Sequence, residues 1–182
     1  MQSYCMDIAK DNKGVQINIT GKHNKYMMKR LTGSIPEARK RQVITDNNLD
    51  PQWFGHAYQL EQLNEQSTFL LSEISKKISS YRQQDVLKKR LDKDNLISRE
   101  YVTKTLVACG LSCHYCTQDV FLVYERCRDM QQWSLDRINN DIGHNVGNVV
   151  VSCLKCNLQR KTRDSDKFVQ TKQLVITREG IE

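Results

Sequence analysis

Cys113-His-Tyr-Cys116 opens, and Cys153-Leu-Lys-Cys156-Asn157 closes, the stretch that decides the fold; between them run Gln132-Trp-Ser-Leu-Asp-Arg-Ile138, Gly143-His144 and Asn148-Val-Val-Val151. Two cysteines separated by two residues can grip one side of a tetrahedral Zn²⁺, and a second such pair further along the chain can close it. Four sulfur ligands leave no position for water, so this zinc would hold the fold and perform no chemistry. A single Cys-x-x-Cys reads equally well as a redox pair; two of them, with nothing secretory or membrane-like around them, read as a zinc clamp.

Inside the clamp, Trp133 to Ile138 reads as a strand, with Trp133, Leu135 and Arg137 on one face and Ser134, Asp136 and Ile138 on the other. Asn139 to Gly147 is rich in Asn, Asp and Gly and reads as a loop, and Asn148 to Ser152 as the returning strand. From Leu154 onward a helix carries Cys156, Asn157 and Lys161. The ordered set Cys-x-x-Cys, Leu-Asp-Arg-Ile, Gly-His, Asn-Val-Val and Cys-x-x-Cys-Asn resembles the HNH endonuclease family in its zinc-bearing branch, over roughly residues 98 to 168. Gln132 to Ile138 and Ser152 to Arg160 look closest to HNH proteins of large DNA viruses. That resemblance implies an α+β fold, a zinc-clamped ββα-metal (HNH) module. Before it stands a mainly helical, basic N-terminal extension.

The resemblance further implies that Asp136 and Asn157 hold a catalytic Mg²⁺ or Mn²⁺, and that Asn148 orients the loop or holds the scissile phosphate. It departs from the family pattern at one place: many members follow the aspartate with a histidine base, where this chain has Arg137. Guanidinium stays protonated at working pH, so Arg137 can clamp a phosphate but cannot take a proton from water. The nearest base in sequence is His144, whose imidazole suits proton transfer near neutrality; a contact to the DNA backbone is the other reading of that residue. Two functions follow. One is a metal-dependent DNA endonuclease with Asp136, Arg137, His144, Asn148 and Asn157 at its site. The other is a zinc-held DNA-binding module that has lost cleavage, a reading that Arg137 favours.

Outward from the clamp, Ser98 reads as the N-cap of a short helix with Val102, Leu106 and Cys109 on one face and Gly110 as its C-cap. From His56, Leu60, Leu63, Leu70, Ile74 and Ile78 recur at helical steps and form an apolar stripe, read as a packing face or, alternatively, a homodimer seam. Its continuation from Lys76 to Lys93 holds Lys76, Lys77, Arg82, Lys88, Lys89, Arg90 and Lys93 against Asp85 and Asp92 only. Such concentrated charge suits phosphate contact, as do Arg160 and Lys161 after the last cysteine; a solvated helix surface is the alternative. Val15, Ile17 and Ile19 alternate like a short strand, and Lys22 to Arg30 and Arg39 to Arg41 are basic clusters. The expected organisation is therefore an extension over residues 1–95, a nuclease domain over 96–168 and a tail over 169–182.

The chain's 182 residues carry a net charge of +7. With a pI near 9.0, this favours an anionic partner such as DNA. No apolar run is long enough to span a membrane and no leader pattern is present, which with the odd cysteine count (seven) suggests a soluble protein of a reducing, intracellular setting. The viral resemblance implies virus-infected cells or virions.

Overall fold

The computed structural model describes residues 40–175. The strand read at Val15 to Ile19 and the basic clusters from Lys22 to Arg39 lie outside them. The described residues all fall within one compact unit. The helices before residue 95 share one core with the cysteine-bearing stretch.

Helix α1 (Gln42–Asn47) ends on Asn48 in the left-handed conformation. A 3₁₀ turn at Pro51–Phe54, whose Asp50 side chain accepts from Gln52 N, leads into α2 (His56–Asn64). The apolar stripe belongs to two helices, not one: Gln66 takes a left-handed φ of 58°, which ends α2, and α3 (Thr68–Leu87) starts afresh after Ser67. Helix α4 (Arg99–Ala108) begins as the sequence suggests, Ser98 Oγ accepting from Tyr101 N, and ends at Cys109 with Gly110 following at φ 57°. Strands β1 (Trp133–Arg137) and β2 (Val149–Cys153) pair antiparallel, Trp133 opposite Cys153 and Arg137 opposite Val149. Helix α5 (Leu154–Arg160) follows β2 without a break. The chain then forms α6 (Ser165–Gln173), across the expected start of the tail at 169; Phe168 of α6 is buried.

The core explains why the stripe exists. Leu63, Leu70 and Ile74 are essentially fully buried with Val102 and Leu106 of α4, Leu122 and Val123, and Trp133, Leu135 and Val151 of the hairpin. Burying each such side chain is worth about 1.5–3 kcal/mol. The stripe's central residues are thus taken up within the unit rather than left as a seam. One buried polar residue fastens the segment between the cysteine turn and β1: Gln59 of α2 donates to the Trp53 and Val123 carbonyls and accepts from the Leu122 and Val123 amides. All four of its hydrogen-bonding positions are filled, so its burial is not penalised.

The polar side of α3 also has a structural use. Lys77 Nζ donates to the Trp133 carbonyl, and Tyr81 Oη, one turn on, accepts from Leu135 N at 2.9 Å. Together they satisfy backbone groups of a strand whose one sheet partner among the described residues is β2. One more turn along the same face stands Asp85, fully buried.

Candidate metal centre and basic cleft

The four cysteines read as a clamp converge. The sulfurs of Cys113, Cys116, Cys153 and Cys156 all lie within 4.8 Å of one another. Those of Cys116 and Cys153 are 3.9 Å apart, close to the roughly 3.8 Å edge of a tetrahedron with zinc–sulfur bonds of about 2.3 Å. Two local devices set this up. Thr117 adopts φ 57° and donates its amide to the Cys113 carbonyl, which closes the first turn, and His114 N bonds the Val151 carbonyl, which fixes that turn against β2. On the other side Cys153 caps α5, its sulfur accepting from Cys156 N at 3.3 Å. Hydrogen bonding from Cys153 lowers Cys113 to about 4, the same interaction pushes Cys153 up, and burial first of all raises Cys156 to about 12. The four sulfurs together make a site that could hold a metal such as zinc, which would deprotonate all four. Among the described residues this is the one such grouping. The side chain of His114, between two of the cysteines, is exposed and is not among the clustered ligand atoms.

A cleft of about 500 Å³ opens beside the hairpin, lined among others by Asp136, Arg137, His144 and Asn157. The sequence motifs thus meet in space. Asn157 donates its amide to Ser134 Oγ (3.2 Å) and the Leu135 carbonyl (3.3 Å), which turns its oxygen into the atom it can offer a ligand. Asn148 lies behind the loop: its amide donates to the Asn139 and Gly143 carbonyls, and its oxygen accepts from Asn139 N at 2.9 Å. These three bonds tie Asn148 to both ends of the segment 139–143. Arg137 is half-buried, bonds the Ile142 carbonyl at 3.2 Å and lies 3.8 Å from Asp85 Oδ1.

Asp136 is held more tightly than a waiting metal ligand requires. Tyr115 Oη donates to its Oδ2 at 2.8 Å, Arg160 Nε pairs with the same oxygen, and Arg160 Nη2 reaches Oδ1 at 3.1 Å. Arg160 itself is wholly buried and also bonds the Arg137 and Arg163 carbonyls. Burial opposes its charge, but the Asp136 contacts outweigh this and raise its pKa.

The cations read as phosphate contacts divide accordingly. Lys88, Arg90 and Lys161 line the cleft. Arg82 belongs to a separate surface hollow with Val86 and Leu87, and Lys89 sits just past α3 at φ 55°. Lys76 pairs with Glu73 at 2.7 Å, some distance along α3. Two readings need correcting: Arg160 is internal, and Lys77 directs its ammonium to the Trp133 carbonyl and over the Trp133 ring at 4.6 Å. Burial, with Arg41 nearby, lowers Lys77 to about 7.

His144 is buried on the cleft wall. Its ring Nδ1 lies 3.0 Å from both carboxylate oxygens of Asp85, its backbone N–H donates to Asp85 Oδ2 at 2.7 Å, and the ring stacks on Tyr81 at 4.4 Å. Sequence reasoning passed over Asp85, counting it as a charge that offsets the lysines. The signal was its spacing: Lys77, Tyr81 and Asp85 recur every fourth residue on one helix face. Compared with protein-family models, with curated proteins and with solved structures, the chain matches none of them.

Proposed function

We propose that this protein is a metal-dependent endonuclease that hydrolyses phosphodiester bonds in DNA at the hairpin cleft. The observation that carries the reading is the convergence of a histidine, a carboxylate and a carboxamide in one cleft bordered by Lys88, Arg90, Arg137 and Lys161. Phosphodiester hydrolysis needs a base for the attacking water and positive charge around the phosphate, and the cleft has candidates for both. His144 is the base; burial, above all, lowers its pKa, so its neutral form is present at physiological pH. Lys88, Arg90 and Lys161 neutralise the backbone flanking the scissile bond. Arg137 adds charge at the phosphate while supporting the loop. Oxygens of Asp136 and Asn157 would hold Mg²⁺ or Mn²⁺, which would supply electrostatic stabilisation when bound. The donors on Asp136 number three, with only one on Oδ1, so a lone pair of that oxygen can still meet a cation.

The second reading, a zinc-stabilised DNA-binding module without cleavage, is favoured by the same carboxylate: Arg160 already balances its charge. Nicking of supercoiled plasmid with Mg²⁺, with Mn²⁺ and with EDTA separates the two. An endonuclease nicks only with the divalent ion, and Asp136→Asn or His144→Ala abolishes or strongly slows nicking while DNA binding in EDTA persists. Binding without nicking under every condition leaves the binding module.

A further inference from the structure

Asp85 belongs to the lysine-rich end of α3, yet it is the one ionisable group of that segment withdrawn completely from water. A carboxylate only accepts hydrogen bonds, so with both oxygens 3.0 Å from Nδ1 of His144 the proton of that contact belongs to the imidazole. A neutral imidazole protonated at Nδ1 has its lone pair on Nε2. We propose that Asp85 is the positioning residue of His144, holding the ring as the Nδ1–H tautomer so that Nε2 is the atom that takes the proton from water. This rests on the reading of His144 as the base.

The surroundings fix the ring in every direction that matters. Asp85 Oδ2 also accepts the backbone N–H of His144 at 2.7 Å, which ties the main chain to the same carboxylate as the side chain. Tyr81 stacks on the ring with planes 27° apart and so sets its tilt. Arg137, 3.8 Å from Asp85 Oδ1, provides a counter-charge for a carboxylate that would otherwise be costly to bury. The residue before His144 has to be glycine for this to happen: a Cβ on Gly143 would lie 2.6 Å from the Arg90 carbonyl and 2.9 Å from Asp85 Oδ2. The Gly-His pair is thus a loop brought down onto α3 until the imidazole reaches its carboxylate. In consequence the basic helical segment completes the site besides attracting the substrate.

A purely structural role, pinning the loop to α3, would be met by asparagine. Asp85→Asn keeps an acceptor for the His144 N–H but replaces the Oδ1 facing Nδ1 by an NH₂ donor, which opposes the Nδ1–H form and shifts the ring toward the Nε2–H tautomer. The test is imidazole ¹⁵N–¹H correlation spectroscopy on the zinc-loaded full chain, with the His144 signals assigned by their loss in His144→Gln. Wild type is expected to show a protonated Nδ1 and a bare Nε2, and Asp85→Asn the reverse. With plasmid DNA and Mg²⁺, Asp85→Asn should lower the single-turnover rate on the order of 10²- to 10⁴-fold with DNA affinity unchanged. A wild-type ring protonated at Nε2 overturns the inference, and needs no variant to fold. A switched tautomer with an unchanged rate overturns the positioning role. Wild-type protein that never nicks DNA removes the endonuclease reading and with it the proton transfer, while the spectra still decide whether Asp85 sets the tautomer.

Discussion

His144 and Arg160 are both buried basic side chains facing a carboxylate, and the difference between them lies in what each can do with a proton. Imidazole can release one near neutrality; guanidinium cannot. Around His144 stand Asp85, Arg137, Asp136 and Tyr81, and burial leads the balance that lowers its pKa. Its folded-state pKa therefore lies below the unfolded value of about 6.5. The neutral form's contribution to stability is complete above that value and is lost as pH falls through the folded-state pKa. Nicking should follow the same sign, rising through a limb below pH 6.5 and then levelling; His144→Ala should lose the limb along with about 10²- to 10⁴-fold in rate, as pH–rate profiles of the two proteins will show. An intact limb in His144→Ala would assign it to another group. Arg160 invites a stability measurement instead. Arg160→Met leaves the Asp136 carboxylate buried without its partner and should cost about 3–5 kcal/mol in urea unfolding. For the same reason Asp136→Ala is a poor probe of metal binding, since it strands Arg160, and Asp136→Asn is the substitution to use.

At the scale of the elements, the two cysteine turns hold β2, α5 and the loop before β1 to one point. Metal analysis should find one zinc per folded chain, and Cys153→Ser should unfold the hairpin and α5, seen as loss of tertiary signal, because closed zinc sites supply on the order of 10 kcal/mol to small folds. Soluble, folded protein free of zinc would remove the clamp. This centre was legible in the sequence because its ligand spacing is local, and so were both strands, α4 with its Ser98 cap, and the loop. What escaped was long-range. Nothing near Gln66 in the sequence forces a left-handed residue, so the break between α2 and α3 was read as one helix. Asp85 and His144 are 59 residues apart, and a pairing over that distance leaves no local pattern. Lys77 and Arg160 looked like solvent-facing cations since composition cannot tell which lysine or arginine of a cluster turns inward.

For the whole molecule, the distribution of positive charge matters more than its total. Lys88 and Lys161 come from opposite ends of the described chain's functional half and border one cleft, whereas Lys76 is paired away from it. Changing Lys88 and Lys161 together to glutamate should weaken DNA binding equally on all sequences and flatten the dependence of log affinity on log salt by about 0.9 per lost phosphate contact, whereas Lys76→Glu should change the slope little. Equal slopes for the two proteins, from fluorescence anisotropy titrations, would move the DNA path elsewhere. One side chain joins the cysteine cluster to the cleft: Tyr115, between Cys113 and Cys116, donates to Asp136 and packs edge-on against Phe168 at 5.0 Å. If the four cysteines hold zinc as the sequence leads one to expect, a chain made without it would lack the turn that presents Tyr115, and would lose the order of Asp136 with it. On the proposed reading of the cleft as a DNA-cutting site, metal supply would then act as an interlock, newly made protein staying harmless until it is metallated.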